Sequence, residues 1–290
     1  RWRKAAYRDL QRHFRQPLWL GEDSLQGKTI LVYSEQGYGD TIQFCRYAAP
    51  LADSGARVVL QVQPPLKTLL TGLAGACRVI ADGEALPAFD CHCPLMSLPM
   101  IFKTGLATIP APRAYLYGDA QRSEAWQARL GPQSHPRIGI AWAGSSGHAN
   151  DALRSIPLSR FLRLASPQAQ FVSLQKDLPA AERRLLENQP RIMHFGALQD
   201  DFADTAALVA NMDLVITVDT AVAHLAAAMG KPVWILLPFA PDWRWMLERS
   251  DSPWYPSARL LRQPAAGDWD SVIAAACRGI GLWLAAMRKK

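Results

Sequence analysis

The chain alternates short apolar runs with amphipathic stretches, and the apolar runs are continuous rather than period-two. Continuous β-branched runs of four to six residues are what a parallel sheet covered on both faces requires. Thr29 to Tyr33, Ala56 to Val62, Arg78 to Ala81 and Asp90 to Leu95 read as strands in a first block. Helices are expected between them over Thr41 to Ser54, from Pro64-Pro65 to about Leu73, and around Ser97 to Phe102. Helix Arg122 to Leu130 then runs into Gly131-Pro132-Gln133-Ser134-His135-Pro136, a polar, turn-prone segment that reads as a domain boundary.

The pattern then restarts. Strands are expected over Arg137 to Trp142, Gln170 to Leu174, Arg191 to Phe195 and Leu214 to Val218, with helices at Ser159 to Ala165, Pro179 to Asn188 and Phe202 to Met212. After Val218 comes Asp219-Thr220-Ala221, a helix from about Val222, and a further apolar strand beyond Gly230-Lys231-Pro232. The last residues, Ser271 to Lys290, read as a basic-ended helix, and residues 1–16 as an amphipathic one. Two successive strand–helix series imply an α/β chain of two Rossmann-like domains with right-handed crossovers and a cleft between them.

The chain has 290 residues, 49% hydrophobic and 20% charged, which suits two globular domains and excludes disorder. No apolar run reaches the roughly 18 residues of a membrane span, and no secretory leader is expected. Opening on Arg1, the chain reads as a fragment or a processed piece. The net charge of +7 is concentrated at the two ends and suits phosphate-bearing ligands; no nucleic-acid-binding signature accompanies it. Five irregularly spaced cysteines argue against a disulfide framework and for a reducing, cytoplasmic setting. Cys91-His92-Cys93 places its ligands too close together for a tetrahedral metal site, and no second pair completes one.

The chemistry concentrates in loops at the carboxyl ends of strands, where open α/β sheets bind ligands. Asp219, Thr220 and the first N–H groups of the following helix meet after the strand ending at Val218; that arrangement favours a phosphate. His224 follows in the helix, either as a buried structural histidine or as a proton-transfer group. The first loop, Ser34 to Phe44, carries Gly37 and Gly39 but lacks the third glycine of a dinucleotide fingerprint, because Ile42 stands there. Asp40 in it serves either as a helix N-cap or as a general base. Gly144, Ser145 and Ser146 after the next domain's first strand can present N–H groups to phosphate, with Arg154 adding a bidentate contact, or they form a plain surface loop. Gln175 and Lys176 end another strand at the same rim, where Lys176 is equally an ordinary surface lysine. The ring-dense segment Pro238 to Trp245 stacks a base or sugar, or plugs the core.

Taken in order, the blocks EQGYGDTIQFCRY, IAWAGS, NDALRSIPL, SLQKD, DFADTAALVANMDLVITVDTAVAHLAAAMGKPVWILLPF and PDWRWMLERSDSPWYPSARLLRQ resemble glycosyltransferase family 9. That catalytic region is found behind tetratricopeptide repeats in bacterial proteins and is related to the heptosyltransferases. The resemblance runs from about Trp19 to Trp269 and implies a GT-B architecture of two facing Rossmann-like domains with parallel sheets. It divides the chain into a 1–26 junction with an upstream repeat region, a 27–133 acceptor domain, a 134–270 nucleotide-sugar domain and a 271–290 helix packing back on the first domain.

The implied activity is metal-independent, inverting transfer of a sugar from a nucleotide-sugar donor to an acceptor hydroxyl on a glycan, lipid or protein. It needs no cofactor, takes place in the cytoplasm or at the face of the inner membrane, and involves no nucleic acid. Asp40 matches the family's catalytic aspartate. Gly144, Ser145, Arg154, Gln175, Lys176, Asp219, Thr220, Ala221 and His224 match its donor-binding positions, and Gln36, Gly37, Tyr38, Gly39 and Gln43 surround the acceptor loop. Two departures stand out: Arg154 replaces a lysine, and Ala221 replaces the glycine of Asp-Thr-Gly-x-x-His. A non-catalytic glycan- or nucleotide-binding module and a GT-B-type nucleotide-sugar epimerase remain the alternatives.

Overall fold

The computed structural model describes residues 12–145, 147 and 150–288. The expected helix over residues 1–16 falls largely outside them; the described part, 12–16, is not helical. The chain folds as two compact units, the first ending at Pro110 and the second starting at Ala111.

In the first unit β1 (Thr29–Tyr33) leads through α1 (Tyr38–Phe44), a 3-10 turn (Cys45–Tyr47) and α2 (Ala48–Asp53) to β2 (Arg57–Val62). After α3 (Lys67–Leu70) come β3 (Ala76–Ala81), β4 (Cys91–Pro94) and α4 (Leu98–Ile101). The four strands form a parallel sheet in the order β3-β2-β1-β4. The single helix expected over Thr41 to Ser54 is thus broken. Pro50 supplies the reason: its ring clashes with the carbonyl four residues back, at Arg46, so it is tolerated only in a first helical turn. The backbone tightens at 45–47 and restarts at Ala48. Phe14 packs on one face of this sheet against Leu31, Val59 and Ile80, and Leu18 pairs in parallel with His92 of β4. Arg12 donates to Gln61 (2.6 Å) and Asp82 (2.7 Å), and Phe14 packs edge-on against Tyr33, Phe89 and His92.

In the second unit α5 (Ala120–Leu130) precedes β5 (Arg137–Ala141), α6 (Asp151–Arg154) and α7 (Leu158–Phe161). β6 (Gln170–Ser173), α8 (Ala180–Glu187), β7 (Ile192–His194) and α9 (Phe202–Ala210) follow. Then come β8 (Leu214–Val218), α10 (Ala221–Ala228), β9 (Val233–Leu237), β10 (Asp251–Ser252), β11 (Tyr255–Arg262) and α11 (Trp269–Met287). The seven-stranded sheet runs β10-β11-β9-β8-β5-β6-β7 and is parallel except at β10. Every residue of β5, β8 and β9 is buried, which accounts for their unbroken apolar runs.

Two boundaries differ from the sequence reading. The 131–136 segment is a turn inside the second unit, not a boundary. Helix α5 packs on α9, with Arg122 Nη1 bonded to Asp201 (3.1 Å) and Asp204 (2.9 Å) and Trp126 set edge-on to Phe195. The chain therefore divides after 110, where the sequence reading had placed the change at 133. The closing helix is likewise a member of the second unit: Val272, Ile273, Ala276, Ile280 and Leu284 of α11 share one core with Ile138, Phe171, Ile216 and Leu236 of the sheet. At 19 residues α11 is also long and apolar enough to cross a membrane, which corrects the expectation that no stretch is, although its buried face goes to this core.

Candidate functional site

In the second unit the chain passes from β5 to β6 and β7 on one side, then returns to β8 on the other. The loops leaving β5 and β8 therefore diverge at a topological switch point, where α/β sheets open a crevice. Leu214 to Val218 fills β8 and exposes none of its side chains, so the chain must turn polar at Asp219 as it leaves the core.

Thr220 is the N-cap of α10, yet its hydroxyl makes no capping bond. It lies 3.2 Å from the Thr217 hydroxyl instead. A helix start whose capping side chain is turned away keeps its partial positive charge available to an anion. Asp219 precedes it with a side chain only 14% exposed. Burial pushes this carboxyl up to about 6 and Asp242 adds to the rise, while the Trp245 indole N–H and the guanidinium groups of Arg154 and Arg244 pull it back.

His224 is buried on α10. Its Nδ1 lies 2.8 Å from the Tyr255 hydroxyl and its Nε2 4.0 Å from Asp219 Oδ1. The Trp245 ring is stacked on it with centroids 5.3 Å apart.

The loop after β5 reaches the same corner. Gly144 N–H donates to Ser155 Oγ (3.0 Å), which in turn donates to Asp151 Oδ1 (2.9 Å). Asp151 also stands 3.5 Å from Arg154 Nε. A Cβ at Gly144 would sit 2.5 Å from an Arg154 guanidinium nitrogen, so a larger residue there would push this arginine from its place. Gln175 accepts from the Ala143 N–H at 3.4 Å. Ser145 is exposed beside Gly144. Lys176 is held elsewhere, donating to the Asp200 carbonyl at 2.8 Å. The structure thus gathers Gly144 and Arg154 with Asp219, Thr220, Ala221 and His224, ties Gln175 to their loop, and turns the Lys176 ammonium toward the loop before α9.

In the first unit the loop after β1 stands at the equivalent divergence, between β1 and β4. Gly37 is the N-cap of α1, and Asp40 sits three residues in, its carboxylate accepting from the Gly37 N–H at 2.9 Å. Asp40 is thus not the N-cap considered in the sequence but the residue that reaches back to it. Gln63 ties the loop from below: its Nε2 donates to the Gln36 carbonyl (2.7 Å) and its Oε1 accepts from Thr41 (2.9 Å). Tyr38 is 40% exposed and Gly39 half-buried. Gln43, expected on the acceptor side, is fully buried, and its carbonyl accepts from Arg46 Nε, so it supports the loop from within.

Sequence reasoning missed Gln63, Tyr255 and Arg244. Gln63 announces itself only as the residue before Pro64-Pro65. Tyr255 sits in a Pro-flanked aromatic corner that hides the start of β11, and Arg244, buried and bonded to Asp242 at 2.7 Å, was lost among tryptophans. Among the described residues no group of three or more His, Cys, Asp or Glu side chains is placed to hold a metal ion.

The model of glycosyltransferase family 9 (heptosyltransferase) matches residues 197–237, which carry α9, β8, α10 and β9. The chain is 29% identical over 282 residues to Protein FlbA of Caulobacter vibrioides, covering 87% of this chain and 46% of that protein's length. Among solved structures it resembles the family 9 glycosyltransferase of Veillonella parvula, with a TM-score of 0.62 at 12% identity over 83% of this chain and 87% of that one. The ADP-heptose lipopolysaccharide heptosyltransferase II of E. coli gives a TM-score of 0.59 at 16% identity, over 87% and 99%. The α/β fold with parallel sheets therefore matches that of the GT-B heptosyltransferases, and the segment around the β8–α10 turn carries the family 9 signature.

Proposed function

We propose that this chain is a glycosyltransferase that moves a sugar from a nucleotide-sugar donor to an acceptor hydroxyl with inversion and without a metal ion. The observation that carries the reading is the turn from β8 into α10. There a helix start not capped by its own threonine lies beside the partly buried Arg154 and the buried Arg244, whose charges act on Asp219, all at the sheet's switch point. A diphosphate supplies the negative charge such a helix start favours and the oxygens that guanidinium groups bind.

In this mechanism the acceptor oxygen forms a bond to the anomeric carbon as the bond from that carbon to the phosphate oxygen breaks. The bonding pair leaves on the phosphate, where Arg154 and the N–H groups at Thr220 and Ala221 stabilise it. The acceptor proton goes to Asp40. Gly144 admits Arg154 to its place, and Ser145 and Gln175 shape the loop beside it. Lys176 contributes less than the family pattern implies, since its ammonium is held by the Asp200 carbonyl. Gln36, Gly37, Tyr38 and Gly39 border the acceptor, with Gln43 behind them. Cytoplasmic location, an upstream tetratricopeptide-repeat region, and a glycan, lipid or protein acceptor rest on the family resemblance alone.

Calorimetry of the protein with ADP, GDP, UDP and their sugar conjugates tests the donor half. Binding of one nucleotide, weakened about 10- to 100-fold in Arg154→Ala as expected for a charged hydrogen bond, supports the reading. Silence across the whole panel contradicts it.

A further inference from the structure

The loop leaving β9 emerges at the same sheet edge as the β8–α10 turn, since β8 and β9 are parallel neighbours. It carries Phe239, Asp242, Trp243, Arg244 and Trp245 before the chain reaches β10. Trp245 joins it to the turn: its ring is stacked on His224 of α10 with centroids 5.3 Å apart.

The two tryptophans of this loop part company. Trp245 is fully buried, whereas Trp243 is 56% exposed. The Trp243 ring is nevertheless braced. The Arg244 guanidinium carbon lies 4.8 Å from its centroid, and Trp254 meets it at 81° with centroids 6.1 Å apart; both of these residues are buried. More than half of a firmly seated indole thus faces solvent.

The backbone is held as closely. Arg262 of β11 donates to the carbonyls of Trp245, Met246 (2.8 Å) and Arg249 (2.8 Å). Gln263 accepts from the N–H groups of Phe239 and Gly267, each at 3.0 Å. Met246 sits at φ +56°, a strained conformation for a residue with a side chain, which persists only where the surroundings impose it. Such strain gathers at ligand clamps.

Position and charge select the occupant. β8 lies between β9 and β5, so a ligand with its diphosphate over the β8–α10 turn extends toward β9 on one side and β5 on the other. The β5 side offers the Gln175 amide, which suits a base edge. The β9 side offers the Trp243 ring and the Asp242 carboxylate, whose side chain is 38% exposed. A carboxylate accepts from hydroxyls, and the negative face of an indole attracts the C–H bonds of a pyranose. We propose that Trp243 is the platform on which the donor's sugar ring stacks, with Asp242 accepting from its hydroxyls. The proposal deepens the transferase reading and rests on it for the diphosphate that brings the sugar to this loop. Stacking of a sugar on the ring does not itself require a nucleotide.

Calorimetry compares ADP, GDP and UDP with ADP-glucose, GDP-mannose, UDP-glucose and UDP-N-acetylglucosamine, on the wild type, Trp243→Ala and Trp243→Tyr. Bare nucleotide is expected to bind the three proteins within about twofold of one another. The sugar conjugate is expected to lose about tenfold, or ~1.4 kcal/mol, in Trp243→Ala and less than about threefold in Trp243→Tyr, which keeps an aromatic face. An equal loss for nucleotide and conjugate puts the base on the ring and overturns the proposal. A folded Trp243→Ala that binds the conjugate as the wild type does overturns it too.

A second measurement uses the wild type alone. The indole N–H of Trp243, assigned through its bonds, is followed in nitrogen-15 NMR spectra as methyl glucoside, methyl mannoside and methyl N-acetylglucosaminide are added. A saturable shift centred on Trp243 is expected. No shift with any sugar, free or nucleotide-linked, overturns the proposal. A saturable shift with the free sugars, beside no binding of any nucleotide or conjugate, keeps the platform and overturns the transferase reading instead.

Discussion

At the scale of single residues, Asp219 governs the electrostatics of the corner between β8 and α10. Its folded value of about 6 lies above the ordinary 3.8, so the folded protein holds a proton that the unfolded chain releases between those two values. Stability therefore falls as pH rises from about 4 to about 6 and levels off above, a loss of about 3 kcal/mol at the most. Thermal unfolding of Asp219→Asn is expected to show this slope flattened, with a gain of about 2 kcal/mol at pH 8 and little change at pH 4. Identical pH profiles for the two proteins would remove the buried-acid account. Below about 6 the site also loses a negative charge, so a nucleotide sugar, whose diphosphate diester does not titrate there, should bind more tightly at pH 5.5 than at pH 8. Much of this residue set was legible. Asp219, Thr220 and His224 stand in an unmistakable strand–turn–helix, and Gly144 and Arg154 follow a strand end. Tyr255 and Arg244 were not, because a residue that reaches the site from β11 or from an aromatic loop has no sequence spacing to betray it.

At the scale of elements, glycines and one glutamine decide whether the loops can form. Gly75 joins α3 to β3 at φ +86°, and a Cβ there would run into the backbone of Ala48 and Ala49 in α2. Gly75→Ala combines left-handed strain with a backbone clash and should cost about 3 kcal/mol in chemical denaturation; a cost under about 0.5 kcal/mol would mean that α2 yields freely. Gln63→Ala removes both bonds that tie down the Gln36 to Thr41 loop. Amide exchange over residues 35–41 should quicken and transfer should fall about tenfold with little change in donor affinity, since a looser Asp40 affects the chemical step. Unchanged exchange would show that the loop holds itself. Elements with continuous apolar runs were read well from sequence, β8 and β9 most sharply. The breaks were not: Pro50 splits one expected helix into α1, a 3-10 turn and α2, and Pro256 with two arginines masks β11, which is buried only at Tyr255, Ala258 and Leu260.

At the scale of the whole molecule, two parallel-sheet units were predictable from the restart of the pattern at Arg137, while their boundary was not. Residues 131–136 look like a linker because they are Gly-, Pro- and Ser-rich, yet α5 before them buries Trp126 and Leu130 in the second unit. Burial by a distant partner outweighs local composition, and single-sequence patterns do not carry that information. The proposed reaction would need both units: the second would bind the nucleotide, and Asp40 in the first would remove the acceptor proton. Mass spectrometry of the full protein incubated with a nucleotide-sugar panel and cell-derived acceptors, wild type beside Asp40→Ala, tests this most directly. The account predicts a sugar-sized mass added to an acceptor by the wild type, and a loss of at least about a hundredfold in a variant that folds and binds nucleotide normally. Undiminished transfer by Asp40→Ala, or no transfer from any donor by the wild type, would contradict it.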